Sequence, residues 1–195
     1  MNIITKRRQK IKSRAQQGKA FETMIRASLK RLSDEGNKFW FMRLWDYRSF
    51  MRLNPNFKAI KQPGDFIASW HGRFYIIECK SSQAGRFNLE NFREHQENAM
   101  RDLHIKGAGY WLLILHREET KSKNKVYAFD CVSWLKLKYY VQHSTFKTAS
   151  WLDVSKFCTM QLERKGGVWD LSPLFTECDA CEQANSDYYE THEEM

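Results

Sequence analysis

The sequence predicts an α/β fold: a mixed central β-sheet of about five strands flanked by helices. Two observations carry this. Apolar residues recur at helical spacing in two stretches, at Phe21, Ile25, Ser28 or Leu29, and Leu32, and again at Leu89, Phe92, Ala99 and Leu103. Around and between them lie short runs rich in aromatic and β-branched residues, at 39–45, 65–70, 73–80, 110–115 and 125–129. The resulting order α-β-β-β-α-β-β puts strands and helices in one mixed layer system rather than in separate bundles.

Composition narrows the class. A chain of 195 residues has room for one domain with a sizeable core, and it contains no repeat and no apolar run long enough to span a membrane. The N-terminus starts basic but lacks the apolar stretch of a signal peptide, so the expectation is a cytoplasmic protein. Five scattered cysteines, Cys79, Cys131, Cys158, Cys178 and Cys181, lack the density of a disulfide scaffold and are expected to be reduced. Cys178 and Cys181 form a C-x-x-C with only His192 nearby, too few ligands for a structural zinc site.

The formal charge of +9 conceals an asymmetry. Residues 177–195 hold seven acids and no Lys or Arg, so the rest of the chain carries sixteen acids against all 32 bases. Such an excess selects a polyanionic partner, nucleic acid before membrane, because no long basic amphipathic helix with a strong apolar face accompanies it.

In chain order, residues 1–17 read as a basic disordered arm. Lys6, Arg7, Arg8, Lys10, Lys12 and Arg14, followed by Lys19, carry positive charge with no acid among them. The domain proper is expected over 18–176. Its first helix begins near Gly18 and ends at Gly36, and Glu22 lies beside the apolar stripe, where a salt bridge to Arg26 is its ordinary use. After the first strand, 46–62 mixes Arg48, Arg52, Lys58 and Lys61 with Tyr47, Phe50, Met51 and Phe57. That is the composition of a protrusion that grips nucleic acid, or of a packed subdomain edge. Asn88 is placed to cap the second long helix, on which Gln96 falls in the apolar stripe and needs a polar partner from the backbone or from a site. A helix is expected over 132–141, whereas 151–175 is ambiguous apart from a turn at Gly166-Gly167. Residues 177–195 form an acidic tail.

The chemistry concentrates at 63–80. His71-Gly72 separates two strand-like runs, as a two-residue hairpin turn would. Counting outward from Trp70 opposite Arg73 sets Phe66 against Ile77, and the next pair is Asp65 with Glu78. Two carboxylates opposite each other stand roughly 4.5 to 5.5 Å apart at Cβ and destabilise a sheet unless positive charge lies between them. A divalent cation would supply it. Lys80 projects from the same face as Glu78, about 7 Å further along, and Cys79 between them offers only its backbone carbonyl to that face. Few, partly open oxygen ligands suit Mg²⁺ with retained waters better than Zn²⁺.

Four stretches then line up with one family: Gly18-Lys19-Ala20-Phe21-Glu22, Pro63-Gly64-Asp65-Phe66, Glu78-Cys79-Lys80, and the segment from Asn88 to Gln96 containing His95-Gln96. In this order they resemble motifs of Holliday junction resolvases of the RecU and Hjc kind, within the PD-(D/E)XK nuclease superfamily, over roughly residues 18 to 116. The resemblance implies a restriction-endonuclease-like fold and a homodimer that cuts opposed strands of a four-way DNA junction with Mg²⁺, or Mn²⁺ in its place. By the same resemblance Asp65 and Glu78 would bind metal, Glu22 would complete the shell directly or through water, Lys80 would orient or activate the attacking water, and Gln96 would steady Lys80 or the phosphate. Residues 46–62 would occupy the place of the RecU stalk. The rival readings are another nuclease of the superfamily, such as a nickase, flap or restriction-type enzyme, and a basic DNA-binding protein without catalysis. Trp40, Trp45, Trp111, Trp134 and Trp151 are the candidates for a dimer surface.

Overall fold

The computed structural model describes residues 3–36, 38–44, 61–118 and 120–176, with side chains from residue 16 onward except Lys121. Helix α1 (Ile3–Asp34) is followed by β1 (Phe39–Arg43), β2 (Phe66–Trp70), β3 (Arg73–Ser82), β4 (Arg86–Asn88) and a 3₁₀ turn at Leu89–Asn91. Helix α2 (Glu94–Ile105), β5 (Gly109–His116), β6 (Lys125–Phe129), α3 (Cys131–Gln142), β7 (Thr148–Ser150), α4 (Trp151–Phe157), β8 (Met160–Leu162), β9 (Arg164–Lys165) and β10 (Val168–Trp169) complete the described chain.

The central sheet is mixed and has six strands, in the order β1-β2-β3-β5-β6-β8. Only β3 and β5 run parallel, with α2 in the crossover between them; the other neighbours are antiparallel. The β2–β3 register is the one counted from the sequence, Trp70 opposite Arg73 through Phe66 opposite Ile77. His71 and Gly72 take φ of 49° and 88°, so the turn has positive φ at both central residues and matches the twist of the strands it joins.

Because side chains alternate across a strand, each face of the sheet builds its own core. Tyr75, Ile77, Trp111 and Leu113 pack with Phe21, Ile25 and Leu29 of α1 on one side. Ile76, Leu112 and Ile114 pack with Met100 of α2 and Trp134 and Leu137 of α3 on the other. No described helix is long and apolar enough to cross a membrane.

Three expectations are corrected here. The basic segment starts the first helix, at Ile3 rather than near Gly18, and the backbone is helical without a break. Its Lys, Arg, Gln and Ala are good helix formers, and the single Gly18 costs only about 1 kcal/mol. Asn88 does not cap the long helix; its side chain accepts from the Glu90 N–H at 3.0 Å and caps the 3₁₀ turn, while α2 starts three residues after that turn begins to close. The mixed sheet expected from the sequence is present, and its sixth strand is β8, from the ambiguous 151–175 stretch, which adds to β6. That stretch otherwise forms α4 and a small hairpin, β9–β10, across Gly166-Gly167. Finally, Glu22 does not pair with Arg26 but with Arg43 on the edge strand β1.

Of the candidate dimer-surface tryptophans, Trp111 and Trp134 are buried within the chain. Trp40 is 51% exposed and shares a row across β1, β2 and β3 with Ser69 and with Phe74, which is 61% exposed. Trp45, the protrusion through residue 60 and the acidic tail lie outside the described residues. Among the described cysteines, Cys79, Cys131 and Cys158 are free thiols.

Candidate active site

The site lies where β2 begins and β3 runs on past it. Phe66 opposite Ile77 is the last full β2–β3 pair, and Asp65 continues it with its N–H donating to the Ile77 carbonyl at 2.9 Å. Ile77 and Cys79 have the same parity, so Cys79 also turns its backbone toward the β2 side, where its N–H donates to Asp65 Oδ2 at 2.8 Å. The N–H and C=O of one strand residue point the same way, so the Cys79 carbonyl faces that side as well.

Glu78 is buried, 3% exposed, at the end of the apolar run Tyr75–Ile77. Its Oε1 meets Lys80 Nζ at 2.5 Å. Its Oε2 is buried too, with no hydrogen-bond donor among the described residues. Gln96, on α2, stands close enough to the Glu78 carboxyl to pull its pKa down, while the Gln96 Oε1 accepts the Arg93 N–H at 3.2 Å and so anchors the first turn of the helix. The polar residue in the apolar stripe thus has a backbone partner and stands next to a carboxylate of the candidate site.

The electrostatics are those of a desolvated carboxylate pair. Burial, then the nearby charges of Glu78 and Glu22, push the Asp65 carboxyl from 3.8 up to about 8. Burial also raises the Glu78 carboxyl, against the pull of Lys80 and Gln96, with Glu22 adding to the rise. Asp65 thus feels the charges of two other carboxylates and Glu78 that of Glu22, and one lysine does not offset them. Burial together with Asp65, Glu78 and Glu22 raises the Cys79 thiol well above its ordinary value, so this cysteine is not a thiolate ligand.

The residues fit a hard divalent cation. They offer two carboxylates, one of them with a buried oxygen lacking a donor, and a backbone carbonyl on the same side; a few oxygens supplemented by water are what Mg²⁺ accepts. Among the described residues, no three His, Cys, Asp or Glu side chains converge as a centre made of side chains alone would require. Glu22, 21% exposed and held by Arg43, stands at the edge of the pair and within its electrostatic reach.

Lys61 and Lys19 are exposed. The side chains of Lys6, Arg7, Arg8, Lys10, Lys12 and Arg14 and the whole of Arg48, Arg52 and Lys58 lie outside what the structure describes. Two residues at the site were not assigned a part in it by sequence reasoning. Arg43 holds Glu22 across 21 residues of chain, a contact no local pattern announces. His95 sits against the Gln62 backbone, with burial and then Lys61, Arg93 and Lys80 lowering its pKa, which places it on the positive rim of the site.

No family model matches the chain, and no curated protein matches it. Among solved structures it is similar to Hjc, a Holliday junction resolvase from the archaeal hyperthermophile Archaeoglobus fulgidus, with a TM-score of 0.39 and 14% identity over 67% of this chain and 85% of that one.

Proposed function

We propose that the chain is a Mg²⁺-dependent DNA endonuclease of the PD-(D/E)XK kind that cuts opposed strands of four-way junctions. The observation that carries the nuclease reading is the desolvated Asp65–Glu78 pair, with Lys80 on one Glu78 oxygen and the other oxygen buried without a donor. Leaving the buried Glu78 beside the partly buried Asp65 costs stability in the cation-free protein, an arrangement that makes physical sense at a functional site. When bound, the divalent cation supplies positive charge for the phosphodiester and its developing transition-state charge.

The chain's own groups do the rest. Lys80 stands beside Glu78, placed to donate to a phosphate oxygen or to hold the attacking water, and Gln96 keeps the Glu78 carboxylate in position from the first turn of α2. The basic excess on residues 1–176 binds the DNA backbone irrespective of base sequence.

Junction selectivity rests on the motif resemblance and on symmetry. Resolving a four-way junction takes two related cuts, and one site of this kind makes one, so a two-fold homodimer is part of the reading. The exposed row Trp40 and Phe74 supports it as a surface an interface would cover. Synthetic four-way junction, flap and linear duplex, each incubated with the protein and Mg²⁺, test the proposal. Paired cuts in opposed junction strands, from a protein that light scattering shows to be dimeric, are expected. Cutting of flap or duplex in preference would assign another substrate of the same chemistry, and binding without cutting would leave a DNA-binding protein.

A further inference from the structure

The segment that delivers Asp65 has a clamp of its own. Tyr110, the second residue of β5 and 4% exposed, donates its phenolic proton to the Pro63 carbonyl at 2.5 Å. Pro63 lies two residues before Asp65, and Gly64 between them has no room for a side chain: a Cβ there would stand 2.5 Å from Ile76 Cγ2 and 3.0 Å from the Ile77 carbonyl oxygen. The stretch is thus pressed onto β3 from one side and tied to β5 by the phenol. Beyond it, the Asp65 carbonyl accepts the Leu44 N–H at 2.8 Å. The backbone on both sides of the carboxylate is held.

Tyr110 also touches the segment that leads to Gln96. Its ring meets that of Phe92 edge-on, with centroids 6.1 Å apart, and Phe92 closes the 3₁₀ turn just before the Arg93 N–H that Gln96 accepts. One buried side chain on β5 therefore contacts the two loops that bring Asp65 and Gln96 to Glu78. β5 pairs with β3 in parallel, Ile76 opposite Tyr110 and Glu78 opposite Leu112, so Tyr110 stands on the same face of the sheet as Glu78, one strand over.

The direction of the hydroxyl matters as much as its place. Tyr110 lies close enough to Glu78 and Asp65 to feel their charges. Yet its single proton goes to the Pro63 carbonyl and to neither acid. Here the phenol braces the loop and leaves Glu78 Oε2 open.

We propose that Tyr110 is a positioning residue for the cation site: through the Pro63 carbonyl it fixes the approach of the Asp65 carboxylate to Glu78. The proposal rests on the nuclease reading for the presence of a cation there. Hydrogen-bonding partners one step behind a ligand typically alter metal affinity or activity about 10- to 100-fold when removed. Tyr110→Phe keeps the ring against Phe92 and removes only the tie to Pro63.

The test is Mn²⁺ binding to the full-length protein without DNA, read from the electron paramagnetic resonance signal of free Mn²⁺, for wild type, Tyr110→Phe and Asp65→Asn. Far-ultraviolet circular dichroism and the thermal midpoint in EDTA are recorded on the same samples. Tyr110→Phe is expected to keep the wild-type spectrum and its junction affinity in EDTA while its Kd for Mn²⁺ rises about tenfold or more. An unchanged Kd overturns the proposal. So does a variant that does not fold, since the phenol would then serve the fold rather than the site. If wild type binds Mn²⁺ no better than Asp65→Asn, the metal-site reading itself falls; a tight wild type with an equally tight Tyr110→Phe removes only the role of Tyr110.

Discussion

Lys80 binds one carboxylate oxygen of Glu78 at 2.5 Å and leaves the other, equally buried, without a donor. The two residues sit two apart on β3 and share a face, so the strand alone brings them together. A structural ion pair in so buried a place would be expected to use both oxygens. On the proposed nuclease reading, the open oxygen is where a divalent cation would add.

Lys80→Ala separates the two uses of that lysine. It is one of 32 basic residues, so its share of DNA affinity is small, whereas a group acting on the reacting water or phosphate contributes about 10²-fold or more to turnover. Single-turnover cleavage and junction binding, measured on the same variant, should fall unequally, with the loss in rate. Equal losses would make Lys80 a phosphate anchor.

The acid pair makes stability depend on pH in a definite direction. Asp65 is raised from 3.8 to about 8 and Glu78 is raised as well, so the folded protein holds protons that the unfolded chain has already released. Stability in EDTA is therefore greatest below the unfolded values near 4 and is lost as pH rises toward about 8, at up to about 1.4 kcal/mol per pH unit for each proton. Saturating Mg²⁺ should flatten this fall, because it binds the folded, ionised pair. Urea denaturation from pH 5 to 8.5 with and without Mg²⁺ checks it; a flat profile in EDTA contradicts it.

A second buried acid behaves oppositely. Glu97, 7% exposed, accepts from Lys138 at 2.8 and 2.9 Å, from Arg101 at 2.9 Å and from Trp134 Nε1 at 3.2 Å. Burial works to raise its pKa, but these donors outweigh it and hold the carboxyl below its ordinary value. Its contribution is present above the unfolded pKa and disappears as pH falls through the lowered one. Glu97→Gln should cost about 2 to 3 kcal/mol at neutral pH and make the acid limb of the stability profile shallower, with cation affinity unchanged. An unchanged denaturation midpoint would show that the α2–α3 contact does not depend on this charge.

What was legible in the sequence is what local periodicity controls. Period-two alternation and the His71-Gly72 turn determine the β2–β3 register from Trp70–Arg73 to Phe66–Ile77. Phe21, Ile25 and Leu29 mark the buried stripe of α1 by the same kind of count. Contacts that only the folded chain creates were not legible. Glu22 meets Arg43 because α1 packs across the edge of the sheet, although Arg26 is one helical turn away and the simpler guess. The start of α1 at Ile3 has a different cause: its first turns carry no apolar stripe to count, yet Lys, Arg and Gln are neutral to favourable for helix and no proline interrupts them. The short strands β8 to β10 contain two or three residues each, below what any periodicity resolves.

The basic start of α1 should act on affinity rather than on choice of DNA. Deleting residues 1–14 removes six positive charges, so binding to junction and duplex should weaken alike, with a shallower dependence of log K on log salt. Titrations of both DNAs at several salt concentrations check this, and a loss confined to the junction would show that the segment reads shape.

The central claim is tested most directly by cleavage of a labelled four-way junction by wild type, Asp65→Asn and Glu78→Gln, side by side with Mg²⁺ and with EDTA. Wild type should cut only with Mg²⁺. Each variant should lose about 10²-fold or more in rate while binding the junction as tightly or more tightly, since on the proposed reading each replaces a carboxyl group that faces phosphate with an amide that stays neutral. Near-normal cleavage by either variant, or cutting by wild type that EDTA leaves untouched, would contradict the account.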